Sequence, residues 1–187
     1  MPNESEKVHK KFPTIGCCGI GCGLCPRFYT EGKSRCPGCG GDDFESQHPS
    51  CSIKTCCIDK HGLEVCGQCA EFPCKKYTDK DKIERDSFVT HKRIFQNHEF
   101  IKTHGIDSFT SEQGTRISIL QDMLTNYDDG RSKSYFCLAA ALLPDECLQA
   151  AMKEVSFEGD IKSRTKMLKA VLQKYAEMEG FELSLKK

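Results

Sequence analysis

Residues 17–25 read CCGIGCGLC, four cysteines in nine positions with glycine filling most of the gaps. Three of these cysteines follow the spacing Cys18-x3-Cys22-x2-Cys25. Thiols at this density bind a ligand or bond to one another, and the reducing or oxidising compartment decides which. Because the segment has almost no bulky side chain to pack, we expect the bound ligand to organise this part of the fold.

Composition and charge narrow the functional class. The chain of 187 residues carries 27 basic and 27 acidic side chains, so no strongly basic surface is predicted and nucleic-acid binding is disfavoured. The N-terminus lacks the pattern of a secretory signal, and no run reaches the length of about 18 apolar residues that a membrane span needs. We therefore expect a soluble cytoplasmic protein that does not bind a membrane.

The cysteines concentrate in the first part of the chain. Of the 14 cysteines, only Cys137 and Cys147 lie beyond Cys74, and we expect both to be structural thiols among the helices. Three Cys-x2-Cys pairs occur, at Cys22/Cys25, Cys36/Cys39 and Cys66/Cys69. A two-residue gap lets both sulfurs converge on one ion, and zinc at about 2.3 Å from each thiolate is the usual occupant. Glycine within or after these pairs suits tight loops with positive φ.

The spacing predicts two or more zinc ions but leaves the ligand sets open. The clearest quartet consists of Cys22, Cys25, Cys36 and Cys39. A second would consist of Cys56, Cys66, Cys69 and Cys74, with Cys51 as a substitute. Cys18, Cys51 and Cys57 then remain unassigned, so a third ion, a bridging thiolate or entry of Cys18 into the first quartet stays open. His48 and His61 could complete a Cys3His set, although ordinary loop histidines are the simpler interpretation.

An iron-sulfur cluster is the alternative to zinc, because cluster ligands are also cysteine thiolates. The spacing of Cys18, Cys22 and Cys25 is that with which radical S-adenosylmethionine enzymes hold a cluster with one open iron. Those enzymes continue into repeated βα units, whereas this chain continues into more cysteines and then helices. A redox or radical-type enzyme is therefore the second hypothesis for function.

Four stretches together resemble a known family: CGIGCGLCPRFY, CPGCGG, CSIKTC and GLEVCGQCAEFPCKKY. In order, spacing and non-cysteine residues such as Phe72-Pro73-Cys74, they resemble the Cys-rich bacterial and archaeal family of unknown function 3795. The family pattern falls on ten cysteines: Cys18, Cys22, Cys25, Cys36, Cys39, Cys51, Cys56, Cys66, Cys69 and Cys74. Cys17 and Cys57 are extra. The resemblance implies a zinc-binding module and brings no activity with it.

The residues after the Cys-rich part have the patterns of helices. The predicted fold class is therefore mostly α, with an irregular Cys-rich module at 1–79 and a four- or five-helix domain at 80–187. Charged residues 78–86 lead into a helix of about 20 residues that carries Phe88, Phe95 and Ile101 and ends at Gly105. Thr110 to Gln113 reads as a capping box that opens the second helix. Apolar residues 135–143 predict a buried central helix before Pro144, and two amphipathic helices follow.

The sequence indicates less about function than about fold. Arg131, Ser132 and Lys133 precede the central helix, and helix punctuation is the simpler interpretation, with an anion or partner site as the alternative. His91, His98 and His104 are expected on a solvated helix flank. No catalytic triad, phosphate loop or carboxylate pair stands out. We therefore expect a zinc-stabilised interaction or adaptor module with an unidentified protein partner rather than an enzyme.

Overall fold

The computed structural model describes residues 10–48, 50–77 and 85–186. Within these ranges the chain forms seven α-helices and no strand. The helices are α1 (Phe44–Gln47), α2 (Ser52–Lys54), α3 (Ile94–His104), α4 (Ile106–Asn126), α5 (Lys133–Leu142), α6 (Asp145–Glu154) and α7 (Ile161–Met178). Short 3-10 turns at Cys22–Leu24, Pro26–Tyr29, Gly32–Ser34, Cys66–Gln68 and Lys75–Tyr77, and a π-type turn at Thr55–Lys60, make up most of the remaining Cys-rich part.

The predicted fold class is confirmed: an irregular Cys-rich segment precedes a helical part that contains the five longest helices. The boundary predicted at residues 79 and 80 lies within residues 78–84, outside the described residues, as does most of the charged stretch 78–86. In the part of the chain that the structure describes, no helix combines the length and the apolar character needed to cross a bilayer.

Two predicted helix starts are wrong. Helix α3 begins at Ile94, and Phe88 precedes it, because the Asp86 carboxylate accepts bonds from the Thr90 hydroxyl and the His91 amide and holds these residues in a loop. Helix α4 begins at Ile106, directly after Gly105, whose φ of 85° ends α3. Thr110 to Gln113 therefore lies inside α4, where the Thr110 hydroxyl donates to the carbonyl of Asp107.

The main hydrophobic core lies among α4, α5, α6 and α7. Ala139, Ala140 and Leu143 at its centre are fully buried, as expected for the apolar helix before Pro144. Leu24, from the Cys-rich segment, is also a member of this core and is 3% exposed. Contacts of the Cys22–Leu24 turn with α4 and α5 therefore join the two parts of the chain.

A buried arginine secures the turn between α5 and α6. The Arg116 guanidinium, on α4, donates to the carbonyl oxygens of Ala140 (3.0 Å) and Leu143 (2.6 Å). It also pairs with the Asp145 carboxylate at 2.9 Å, at the start of α6. Because the last carbonyls of a helix lack partners within the helix, Arg116 supplies the donors that α5 needs there.

Candidate metal centre

Four cysteine thiols form a row in the interior of the Cys-rich segment, in the order Cys39, Cys17, Cys57, Cys66. The side chains of Cys39 and Cys17 meet with 3.5 Å between their sulfurs. The Cys57 thiol donates to the carbonyl of Leu63 at 3.2 Å and influences the pKa of Cys17, while Cys66 in turn raises the pKa of Cys57. All four residues are at most 9% exposed. We call these residues the thiol row.

Backbone amides point at several of the sulfurs. The amide of Cys17 donates to the sulfur of Cys39, and that of Lys54 to the sulfur of Cys51, each at 3.5 Å. The backbone of Cys39 also acts to lower the pKa of the Cys22 thiol. Such N–H groups stabilise negative charge on sulfur, and they accompany thiolates that bind a metal.

Cys18 and Cys22 converge on one small space beside Gly16. A Cβ atom on Gly16 would lie 3.2 Å from the sulfur of Cys18 and 3.5 Å from that of Cys22. Any residue other than glycine would therefore press on the sulfur of Cys18 and contact that of Cys22.

A separate group lies closer to the surface. The sulfur of Cys36 is 3.6 Å from Nε2 of His48, and the Cys25 thiol interacts with that of Cys36. Burial, followed by the nearby Arg27 guanidinium, lowers the pKa of His48 below its usual value, which favours the neutral ring that a metal ligand requires. The predicted quartet of Cys22, Cys25, Cys36 and Cys39 thus divides into an inner pair, Cys22 with Cys39, and an outer pair, Cys25 with Cys36.

The second predicted quartet is more dispersed. Cys66 belongs to the thiol row, but within the described residues no hydrogen bond joins the thiols of Cys56, Cys69 or Cys74 to another thiol. Cys51, the substitute, interacts with Cys18 instead. His61 is exposed in the turn after Thr55–Lys60. The ligand set of a second ion therefore stays a prediction.

Burial keeps the inner thiols protonated unless a cation is present. It raises the pKa of Cys18 to about 12 and that of Cys22 well above its usual value. The pKa of Cys57 is about 12, because the lowering effect of Cys17 is outweighed by Cys66 and by burial. A bound divalent cation reverses this balance by stabilising the thiolate form.

Two aromatic residues close the inner side of the site. Tyr77 and His98 are 5% and 1% exposed, and neither the Tyr77 hydroxyl nor Nε2 of His98 has a hydrogen-bond partner in the described part of the chain. Among the causes that raise the pKa of Tyr77, burial comes first and the neighbouring thiol of Cys66 second, so its hydroxyl faces the thiol row. Burial lowers the pKa of His98 to about 4. Unpartnered buried polar atoms of this kind are rare in complete sites.

Two glycines near the thiols are required for different reasons. Gly38 has a φ of 89°, and a Cβ there would lie 2.2 Å from the carbonyl oxygen of Pro13. Gly67 is not among the residues with positive φ, contrary to expectation. It is instead approached by His98, whose Nδ1 accepts the Gly67 amide at 3.1 Å and would lie 2.7 Å from a Cβ.

The donor set suits zinc, but the sulfurs stand in pairs. Within residues 10–48, 50–77 and 85–186, no group of three or more Cys, His, Asp or Glu side chains is already arranged to hold a metal ion. The three-thiolate corner of a cluster at Cys18, Cys22 and Cys25 is likewise not preformed there. Soft, buried sulfur donors with amides directed at them nevertheless fit a thiolate metal such as zinc.

Comparison with known proteins identifies the Cys-rich part alone. The model of a family described as a protein of unknown function (DUF3795) matches residues 14–79. We call residues 14–79 the DUF3795 segment, after the family to which they are similar. The resemblance drawn from the cysteine spacing is thereby confirmed. No curated protein and no solved structure matches the chain.

Sequence reasoning missed four residues around the DUF3795 segment: Lys10, Cys17, Tyr77 and His98. Cys17 is extra to the family pattern, yet it lies inside the thiol row. Lys10 precedes the segment, and its buried ammonium donates to the carbonyls of Ile15 and Glu64. His98 was expected on a solvated flank, but it is buried against Gly67. Of these four residues, only Cys17 has a signal in the sequence, namely its position directly beside Cys18.

The polar residues before α5 already hydrogen-bond to the carboxylates of Asp128 and Asp129 in the same stretch. Asp128 accepts from the amides of Gly130 and Ser132, and Asp129 accepts from the amide of Arg131 and the hydroxyl of Ser132. The Lys133 ammonium donates to the carbonyl of Tyr29. An anion at Arg131, Ser132 and Lys133 would therefore have to displace Asp128 and Asp129.

Cys137 and Cys147 differ in their surroundings. Cys137 is buried in the main core, as expected. Cys147, on α6, is partly buried, and its sulfur lies 3.8 Å from a carboxylate oxygen of Glu179. Neither residue is part of the DUF3795 segment. Cys147 therefore offers a control position for experiments on the Cys-rich part.

Proposed function

We propose that the DUF3795 segment binds two or more zinc ions through cysteine thiolates, and that the zinc-stabilised segment serves as a protein-interaction or adaptor module. The candidate ligands are the ten cysteines of the family pattern, grouped around the inner pair Cys22 and Cys39 and the outer pair Cys25 and Cys36. His48 is a candidate for completing the outer set.

The observation that carries the zinc proposal is the direction of the backbone amides toward buried and partly buried sulfurs. The amide of Cys17 and the backbone of Cys39 approach the sulfurs of Cys39 and Cys22, and the amide of Lys54 approaches that of Cys51. A buried neutral thiol gains little from such donors, whereas a metal-bound thiolate is stabilised by them. Bound zinc would cross-link loops that bury few aliphatic side chains of their own.

A protein partner is favoured over nucleic acid by charge and by exposed apolar groups. The chain has no excess of basic residues. Large exposed apolar side chains within the described residues include Phe88 at 60% and Phe95 at 46%, both on the stretch that follows the Cys-rich segment. Aromatic side chains are enriched in protein interfaces, whereas phosphate backbones require clustered cations.

Metal content tests the proposal directly. Protein prepared without air should be colourless and should carry two or more zinc ions by native and elemental mass spectrometry. Cys22→Ser should lower the zinc content, whereas Cys147→Ser, outside the Cys-rich segment, should leave it at the wild-type value. Protein free of metal would overturn the proposal, and a brown protein containing iron and sulfide would support the cluster alternative.

A further inference from the structure

A small polar cavity lies where the Cys-rich segment meets helices α3 and α4. Its volume of about 20 Å³ holds one ligand about the size of a water molecule. Gln113 and Arg116 are 7% and 4% exposed, so a ligand beside them is shielded from most of the solvent. The polar lining consists of the backbone of Gly19 and Gly21 and the side chains of Thr90, Arg93, Asn97, Gln113 and Arg116.

The Arg116 guanidinium has one donor left for such a ligand. Nη1 donates to the carbonyls of Ala140 and Leu143. Nη2 pairs with the carboxylates of Asp145 at 2.9 Å and Glu112 at 3.5 Å. Nε is buried and has no hydrogen-bond partner within the described residues, which is rare because the lost hydration of the N–H group is then not replaced. Because Arg116 lines the cavity, a ligand bound there can accept from Nε.

A second guanidinium lines the same cavity. Arg93 is half-buried, and burial, followed by the nearby Arg116 cation, lowers its pKa. The hydrogen bond from its Nη1 to the carbonyl of Leu142 is long, at 3.5 Å. The carboxylates of Glu112 and Asp145 offset part of this positive charge, but they are not among the groups that line the cavity. In the part of the chain that the structure describes, the charged side chains of the lining are both positive.

The lining offers more donors than free acceptors. Gln113 lies opposite Gly21, where a Cβ would be 3.4 Å from Oε1, and its amide nitrogen can donate to a ligand. The carbonyl of Gly19 already accepts from the Asn97 amide at 2.7 Å. A water molecule needs acceptors for its own two protons, whereas a halide ion only accepts hydrogen bonds. Two guanidiniums and an amide therefore suit a small anion better than they suit water.

We propose that this cavity binds one halide ion, chloride, between the guanidiniums of Arg93 and Arg116, with Gln113 as a third donor. The ion would link α3 and α4 to the loop that contains Gly19 and Gly21. Polyatomic anions such as phosphate are too large for the volume. This site goes beyond the proposed zinc binding and adaptor role and depends on neither.

The first test uses crystals of the unaltered full-length chain, grown in sodium bromide. Bromide can replace chloride, and it is located by anomalous scattering at the bromine absorption edge. The expected result is an anomalous peak in the cavity, in contact with Nε of Arg116. A water molecule or no density in the cavity would overturn the proposal, whether or not bromide binds elsewhere on the protein.

The second test measures binding in solution. Replacing chloride with isethionate, an organic anion too large for the cavity, should lower the wild-type Tm by about 3 °C at constant ionic strength, for chloride at about ten times its Kd. Arg93→Met should remove this difference. Arg131→Met is the matched control, because Arg131 is exposed and lies outside the cavity, and it should keep the difference. An equal wild-type Tm in both salts, or a difference that Arg93→Met retains, would refute the site.

Discussion

His98 is one of the residues at which the helical part contacts the Cys-rich segment directly. Its ring lies between Gly19 and Gly67 and packs at a tilt against Phe72, with 4.3 Å between ring centroids. Nδ1 accepts the Gly67 amide, so the ring proton must reside on Nε2, which has no partner within the described residues. The site accommodates a neutral imidazole and opposes a charged one.

Acid should therefore destabilise the protein through His98. Burial lowers the pKa of His98 from 6.5 to about 4, so protons bind more readily to the unfolded chain. Its contribution to stability is complete above about pH 6.5 and is lost as pH falls toward 4, to a total of about 3 kcal/mol. Urea unfolding at a series of pH values measures this loss.

The matched variants are His98→Gln and His104→Gln, on the same helix α3. His104 is exposed, so its replacement should leave the pH dependence of the unfolding free energy unchanged. His98→Gln should flatten that dependence between pH 6.5 and 4. Equal slopes for all three would show that His98 does not carry the effect.

At the scale of elements, helices were predicted well where apolar periodicity was strong and poorly at their starts. The end of the central helix before Pro144 and the C-cap at Gly105 follow from local backbone chemistry, and both are confirmed. The loop before α3 depends on Asp86, whose second carboxylate oxygen accepts from the amide of Lys186, a hundred residues away. Such long-range contacts leave no periodic signal in the sequence.

Arg116 should be the most costly polar side chain to remove from the helical part. Arg116→Met would leave the carbonyls of Ala140 and Leu143 without their buried donor and the carboxylate of Asp145 without the guanidinium with which it pairs. Loss of one member of a buried ion pair costs about 3 to 5 kcal/mol. Urea unfolding should show this loss, whereas Lys166→Met on the exposed face of α7 should stay within about 0.5 kcal/mol of wild type. A loss for Arg116→Met as small as that would contradict the role assigned to Arg116.

At the scale of the whole molecule, the sequence predicted the division into a Cys-rich and a helical part but not how the thiols are grouped. Spacing identifies cysteines that can share a turn, such as Cys36 and Cys39. It cannot show that Cys39 turns inward to Cys17 while Cys36 faces His48. That choice depends on loop packing around Gly38 and Pro13, which links distant parts of the segment.

Removing zinc should affect the two parts of the chain unequally. A strong chelator should increase amide hydrogen exchange across residues 17–74, where few aliphatic side chains are buried, while α4, α5 and α7 keep most of their protection. Their core of buried leucine, alanine and aromatic side chains does not contain a candidate ligand. Hydrogen exchange with mass spectrometry measures both regions at once. Unchanged exchange in residues 17–74 would show that metal does not hold that part together.

The segment that the family model matches and the buried hydrophobic cores have different boundaries in this chain. Leu24 belongs to the family segment, yet it fills space between helices that the segment does not contain. Ile94, from α3, conversely packs among the buried cysteines. Dividing the chain after residue 79 would expose Leu24 on the first fragment. It would also leave empty the space that Leu24 fills among the helices of the second fragment. Any protein that carries this segment in the same form must therefore supply a neighbouring surface with room for that leucine.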